Sequence, residues 1–340
     1  MFVGVPGRGD VIVDGAVPNG PQPDTSRDDR RESYSTARPE TRCASRCAIV
    51  GLMSEPEERG PVYVTPSETI ELLRSHGIRL RKGLGQHFLV DNNIVLKILD
   101  AAHLEPDDVV LEVGPGIGVL TRGLADRART VAAVEIDERM AEMFAENVTA
   151  DNVVLIRGDA LGLTRSGLER HAPPPTKFVS NLPYNLAVPI LFHVLDEFPR
   201  LSRVVVMVQR EIADRMTAAP GTKSYGAVTV KLAFYGGVRK LFAVPPSVFV
   251  PPPRVESAVV LLQPGRPPAE KARLFELVEA AFSQRRKKMM NSLAASYESL
   301  FEKREIGKAM SAAGLSPDVR AEEVAPEEFR LLASSLFADV

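Results

Sequence analysis

"NLPY", Asn181 to Tyr184, follows the apolar run "KFVS" and brings three kinds of chemistry to the place where a strand would end. Asn181 offers a side-chain carbonyl. Pro183 restricts Leu182 to extended backbone and so fixes the direction of the Leu182 carbonyl, while Tyr184 adds a flat ring. An exocyclic amine has two hydrogens to donate, and two carbonyl acceptors would hold both. Held in that way, the nitrogen favours a pyramidal geometry and exposes a lone pair otherwise delocalised into its ring. Tyr184 could stack on a base swung out of its helix. The same four residues also describe a turn with a buried tyrosine, so their reading depends on what the chain places beside them.

Upstream, "VLEVGPGIGVLTRGLA" sets Gly114, Gly116 and Gly118 between a strand and a helix, where glycine lets the backbone turn sharply and approach a ligand. The dinucleotide fingerprint would need glycine at 119, where this chain has Val119, and Pro115 is foreign to most pyrophosphate-binding turns. Glu135 lies 21 residues after Gly114 (135 − 114), at the end of the next strand, where a carboxylate can accept from two ribose hydroxyls. Asp159, in "RGDA" after the third strand, could accept from an adenine amino group. Either acid could instead cap a helix; together they suit one adenosine lying across the sheet edge. No lysine follows the glycines as a triphosphate site requires. This order of residues resembles an S-adenosylmethionine-binding methyltransferase domain, whose cofactor is a sulfonium cation without phosphate.

The elements that would position these residues alternate. "TPSETIELLRSHG" reads as a short helix with Thr65 as N-cap, Pro66 at N1, Glu68 at N3 and Gly77 as the stop. Beyond an amphipathic helix at "NNIVLKILDAAHL", short Val/Ile-rich runs alternate with helical periods from "DVVLEV" to "RVVVMVQ". That rhythm predicts an α/β fold with a parallel sheet covered on both faces. After Tyr225 the pattern predicts β structure at "AVTVKLAFYG" and "SAVVLLQP", and from about Ala269 it is helical. Residues 1–60 are rich in Pro, Asp, Arg and Ser without period and read as a disordered extension. The expected division is therefore 1–60, a catalytic domain over 61–265 and a helical RNA-binding domain over 266–340.

The ordered set "LGQHFLVD", "LEVGPGIGVLT", "VEID", "GDA", "SNLPYN", "VQREIADRM", "VPPPRVESAVV" and "AFSQRRKKMMNSL" resembles the bacterial small-subunit ribosomal RNA adenine-N6 dimethyltransferases. The resemblance covers about residues 65–335. It implies a seven-stranded Rossmann-like methyltransferase sheet followed by a small all-α C-terminal domain. It also implies transfer of four methyl groups from S-adenosylmethionine to two adjacent adenosines in the hairpin near the 3′ end of 16S rRNA, within a small-subunit precursor. Carried over by motif, Gly114 lines the methionine part of the cofactor, Glu135 holds the ribose and Asp159 the adenine. Asn181 lies beside the methyl, and Leu182, Pro183 and Tyr184 complete the target pocket. The motif that closes over the cofactor is occupied by Gln86, His87 and Leu89, with His87 in place of the family's usual asparagine. Phe249 is similar to a family aromatic near the target base. No strong base is required, because the amine proton becomes acidic once the methyl has arrived, and catalysis would be mostly alignment.

Arg285, Arg286, Lys287 and Lys288 stand consecutively near the expected end of a helix, and with Arg81, Lys82 and Lys223 they are the candidate phosphate contacts. A formal net charge of −2 over 340 residues requires any RNA surface to be a local patch. The two cysteines, Cys43 and Cys47, are too few for a zinc site or a disulfide scaffold, so no metal is expected. The longest apolar runs fall short of the roughly 20 residues a membrane span needs, and the chain reads as a cytoplasmic monomer. Three alternatives share parts of the pattern: a 23S rRNA adenine-N6 methyltransferase conferring antibiotic resistance, a DNA adenine-N6 methyltransferase, and a non-catalytic assembly factor.

Overall fold

A computed structural model describes residues 12–14, 65–75, 87–284 and 286–338. Strand β1 (Ile12–Asp14) pairs antiparallel at one sheet edge, so these three residues depart from the unstructured extension expected; the remainder of 1–60, with both cysteines, lies outside the described residues. Helix α1 (Pro66–Ser75) opens as its sequence predicts. The Thr65 N–H donates to Glu68 Oε2 at 3.0 Å while the Glu68 N–H donates to Thr65 Oγ1 at 3.3 Å, a reciprocal cap. Gly77 lies outside the described residues.

The alternating core follows. Strand β2 (Phe88–Leu89) and helix α2 (Asn92–Ala102) lead into β3 (Val109–Val113), α3 (Val119–Ala125), β4 (Thr130–Glu135), α4 (Glu138–Asn147) and β5 (Val153–Arg157). Then come α5 (Arg165–Leu168), β6 (Lys177–Asn181), α6 (Ala187–Glu197), β7 (Arg203–Gln209) and α7 (Arg210–Met216). Strands β5, β4, β3, β6 and β7 lie side by side and parallel. Their residues alternate between two apolar layers: Leu111, Phe178, Val204 and Val206 point to one, Val110, Val179, Val205 and Met207 to the other. Because both faces are buried, the strands are mostly apolar, as a covered parallel sheet demands, with Glu112, Lys177 and Ser180 among the buried polar exceptions.

One expectation fails beyond Tyr225. "AVTVKLA" forms helix α8 (Ala227–Ala233), and the strand is its neighbour β8 (Gly236–Val244). Strand preference in Val and Thr is a packing preference, and packing here favours a helix. Val230 enters the core of the C-terminal helices, Leu232 enters the sheet core, and Thr229 Oγ1 caps the Gly226 N–H. Strand β9 (Phe249–Val250) pairs with β2, and β10 (Ser257–Pro264) runs antiparallel between β7 and β8. The sheet thus has the seven strands expected, with β1 as a short eighth.

Helices α9 (Lys271–Phe282), α10 (Met289–Ser296), α11 (Lys303–Ala312) and α12 (Pro326–Leu336) complete the chain around their own apolar core. The basic run does not stand at the end of a continuing helix. Residues 286–288 turn between α9 and α10, because Met289 is fully buried and donates its N–H to the Val319 carbonyl at 2.9 Å.

Candidate active site

Strand β3 is the switch point of the sheet: β4 and β5 lie on one side of it, β6 and β7 on the other. Loops leaving adjacent strands part there, which opens a crevice at the carboxyl ends. The strand ends are fixed before their loops begin. Gly114 N–H donates to Val134 O at 2.9 Å, Gly158 N–H to Glu135 O at 2.8 Å and Leu182 N–H to Met207 O at 3.1 Å. Across the switch point the buried Ser180 hydroxyl donates to Val113 O at 2.6 Å.

His87, Leu89, Gly114, Glu135, Asp159, Asn181, Leu182, Pro183 and Tyr184 all line this one cleft. Gly114 has φ +69°, and a Cβ there would approach the Pro183 ring to 3.8 Å. The glycine turn and the Asn-Leu-Pro-Tyr turn therefore face each other at contact distance. Glu135 is buried and accepts from the Asp137 N–H at 3.0 Å. Burial raises its carboxyl above the ordinary range despite the N–H groups of Asp137, Gly116 and Ile136. Asp159 is exposed and accepts from the Leu161 N–H at 2.9 Å, so its carboxylate also caps the short turn that follows.

Asn181 is the most informative of these residues. Its Nδ2 donates to His87 O at 3.5 Å, but its Oδ1 is buried with no hydrogen-bond partner. A buried acceptor left empty costs roughly 1–3 kcal/mol, so this oxygen fits a ligand that donates to it. Tyr184 is anchored by a 2.6 Å hydrogen bond between its hydroxyl and Ser257 Oγ, and burial raises its pKa. Its ring lies against His87, with centroids 5.5 Å apart and planes inclined by 28°. His87 in turn donates from Nδ1 to Pro251 O at 2.7 Å; a carbonyl can only accept, which places a proton on Nδ1.

Among the lining residues without a role in the motif reading, three bear on the chemistry of the cleft. Glu112, in β3, is fully buried and accepts from Thr121 Oγ1 at 2.6 Å. Burial, opposed by that hydroxyl and reinforced by Glu135, pushes its carboxyl up to about 8. Ile136, next to Glu135, is 68% exposed at the cleft, where an apolar side chain could cover the face of a flat ring. Ile117 is buried beneath the glycine turn. An isoleucine directly after the acid in "VEID", where a loop is usually polar, was the available signal for Ile136.

The remaining candidates lie elsewhere. Phe249 is 2% exposed, belongs to the sheet core and is not among the residues that line the cleft. Lys288 pairs with Asp318 at 2.5 Å, whereas Arg286 and Lys287 are exposed and among the described residues have no acid partner. Lys223 is exposed on a loop held by the Gly221 N–H on Glu322 O at 2.7 Å. Arg81, Lys82, Gln86 and Arg285 lie outside the described residues. Among the described residues no cluster of potential metal ligands occurs, and no helix is long and apolar enough to cross a membrane.

Known proteins are similar to this chain over most of its length. The chain is 42% identical over 278 residues to "Ribosomal RNA small subunit methyltransferase A" of Streptomyces coelicolor, covering 79% of this chain and 95% of that protein. To the protein of that name from Pelotomaculum thermopropionicum it is 43% identical over 288 residues, covering 81% and 97%. Among solved structures, a dimethyladenosine transferase from Plasmodium falciparum superposes with a TM-score of 0.61 at 26% identity, covering 72% of this chain and 96% of that one. The 23S rRNA methyltransferase ErmE superposes with a TM-score of 0.55 at 29% identity, covering 74% and 99%. A family model described as "Ribosomal RNA adenine dimethylase" matches residues 77–336, which contain every described wall of the cleft, and the chain belongs to that family.

Proposed function

We propose that this protein dimethylates the N6 amines of two adjacent adenosines in the hairpin near the 3′ end of 16S rRNA, with S-adenosylmethionine as methyl donor. The setting would be small-subunit biogenesis in the cytoplasm, with the protein acting as a monomer. The observation that carries this reading is the empty Asn181 Oδ1, buried at the point where the glycine turn meets the Asn-Leu-Pro-Tyr turn. S-adenosylmethionine, when bound, supplies an electrophilic methyl on a positive sulfur. The Gly114 turn leaves room for its methionine part, Glu135 accepts from the ribose, Asp159 from the adenine, and Ile136 covers the ring face. His87 and Leu89 close the site from the β2 side.

The target adenine enters beside Tyr184. Asn181 Oδ1 and the Leu182 carbonyl accept from its two amine hydrogens, which orients the lone pair and withdraws the nitrogen from conjugation. Alignment of this kind shortens the search for a reactive geometry, the largest contribution open to a site without a strong base. The amine proton leaves after methyl transfer, when it has become acidic. A second round requires the monomethylated amine to fit the same pocket, with one hydrogen fewer to donate. Arg286 and Lys287, together with Arg285, Arg81, Lys82 and Lys223, would hold RNA phosphates.

The test uses labelled S-adenosylmethionine with small subunits from cells lacking the modification, and unmodified large-subunit RNA in parallel. Dimethyladenosine in the small-subunit RNA alone is expected by nucleoside mass spectrometry. Label only in the large-subunit RNA would transfer the protein to the ErmE-like activity, and binding without label would leave a non-catalytic factor.

A further inference from the structure

Four large apolar side chains among the described residues are strongly exposed: Ile136, Val255, Leu300 and Leu331. Ile136 belongs to the cleft, and Leu300 and Leu331 lie in the C-terminal helical part. Val255, 46% exposed, sits in the segment Pro252–Glu256, and both ends of that segment are fastened to the target pocket. On its upstream side the Pro251 carbonyl accepts from His87 Nδ1 at 2.7 Å; on its downstream side Ser257 Oγ meets the Tyr184 hydroxyl at 2.6 Å. One residue, Glu256, separates Val255 from Ser257, so the Val255 Cα lies within about 7 Å of the Ser257 Cα. The segment is also stiff. Pro251, Pro252 and Pro253 hold three successive φ angles near one value, and the Arg210 N–H donates to Glu256 O at 2.9 Å.

Charge on this segment is uneven in an informative way. On α7 and β8, Arg210 is paired with Glu256, Arg215 with Glu211 and Lys240 with Asp214, while Arg239 of β8 is exposed and, among the described residues, has no acid partner. Arg254 is exposed, and among the described residues no acid pairs with it, although Glu256 is only two positions away. Glu256 is turned instead toward Arg210. The segment therefore carries an uncommitted guanidinium and a bare aliphatic side chain at successive positions, between the two residues that bond His87 and Tyr184 of the target pocket. A stiff apolar projection next to a phosphate-binding cation suits a nucleic-acid strand from which a base has been withdrawn.

We propose that residues 252–256 are the strand-holding element of the target site. Arg254 contacts a phosphate beside the target adenosine, and Val255 occupies the stacking position that the adenine vacates. Held by the same two hydrogen bonds that orient His87 and Tyr184, the segment couples base extrusion to closure of the pocket. This inference rests on the RNA-adenine reading given above.

The experiment uses the full chain with variants Arg254→Gln and Val255→Ala and a small-subunit hairpin carrying 2-aminopurine next to the target adenosine, which keeps its own N6 amine. Wild-type protein should raise the 2-aminopurine fluorescence as the target base leaves the stack. Val255→Ala should cut that rise at least threefold with little change in the salt dependence of binding. Arg254→Gln should lower the slope of log affinity against log salt by about 1, the signature of one lost phosphate contact. Both variants should bind S-adenosylhomocysteine with wild-type affinity. An unchanged slope in Arg254→Gln, an unchanged fluorescence rise in Val255→Ala, or loss of S-adenosylhomocysteine binding in either overturns the proposal. Failure of the substrate reading looks different: wild-type protein then leaves the small-subunit RNA unmethylated, and the two measurements are made on whichever RNA it does methylate.

Discussion

The imidazole of His87 lies against the ring of Tyr184, 5.5 Å between centroids, while its Nδ1–H is held by the Pro251 carbonyl. The residue proposed to close over the cofactor thereby sets the ring proposed to meet the target base. Replacing His87 by Ala should remove the stacking contact, worth about 0.5–1.5 kcal/mol, and free the Tyr184 ring to tilt. The expected result is up to about a tenfold fall in kcat, with dimethylated product reduced more than monomethylated product. His87→Asn should restore cofactor affinity without restoring the product ratio. Quantifying both products by mass spectrometry across the two variants tests this.

Asn181→Ala removes the empty acceptor and one of the two carbonyls proposed to hold the amine. Loss of one positioning hydrogen bond at a reacting centre typically costs about 100- to 1000-fold in rate. A fall of that size in single-turnover methylation, with RNA affinity unchanged, is expected. A fall of less than tenfold would remove Asn181 from the reacting centre.

Glu112 carries a pH signature. Its carboxyl is raised from an ordinary value of 4.5 to about 8 in the fold, chiefly by burial. A raised folded pKa means the native state holds the proton more tightly than the unfolded chain. The stabilisation is complete below about pH 4.5 and is lost as pH rises through about 8. Urea unfolding between pH 5 and pH 9 should show wild-type stability falling by up to about 4 kcal/mol relative to Glu112→Gln. Glu135 shifts the same way, which is why the slope is compared with this variant and not read alone.

At the opposite end of the sheet, Lys177 and Asp108 form a buried ion pair at 2.6 Å. Burial opposes ionisation of Asp108, but the Lys177 ammonium, the Glu105 N–H and the Thr176 hydroxyl outweigh it and hold the carboxyl below its usual value. That contribution is present above the unfolded pKa and disappears as pH falls through the lowered one. Lys177→Met strands the carboxylate and should destabilise by about 3 kcal/mol or more. Chemical denaturation at pH 7 measures this, and activity at 20 °C should persist because the pair is remote from the cleft.

Gly118, the last glycine of the turn, has φ +81°, and a Cβ there would stand 2.2 Å from Val148 Cγ2 and 3.2 Å from Phe144. Gly118→Ala should therefore combine backbone strain of about 1–2 kcal/mol with a steric clash. Gly162, where an added Cβ meets nothing within 4 Å, provides the control. Thermal unfolding should separate the two variants by several degrees.

The cleft was largely legible in the sequence because its residues are local signals at strand ends. Glycines at 114–118, acids at 135 and 159, and an amide before a proline each declare a loop at the same sheet edge. What remained hidden depends on distant partners. Nothing near Tyr184 announces Ser257, and nothing near His87 announces Pro251, since those contacts join segments brought together only by the β2–β9 pairing and the sheet. Helix α8 was misread for a related reason: Val228, Thr229 and Val230 carry strand preferences, but their neighbours are the sheet core and the C-terminal helices. Phe249 illustrates the converse, an aromatic in a functional motif whose ring packs inward.

Helix α8 also determines where this molecule could be recombined. Val230 and Tyr225 are set into the core of the C-terminal helices, while Leu232, two residues further on, belongs to the sheet, and Phe275 of α9 packs against both. A chimera joined at Pro264, where composition suggests a boundary, would pair one parent's α8 with another parent's α9 and leave both cores mismatched. A seam before Ala218 keeps the helical core whole, moving the loop bearing Lys223, α8 and the four terminal helices as one cassette, and leaves the β7–β10 pairing as the junction to be matched. Strands β8, β9 and β10, interleaved between them in the chain, must travel in the same exchange. Any swap of the helical part between relatives thus carries the Arg254–Val255 segment with it.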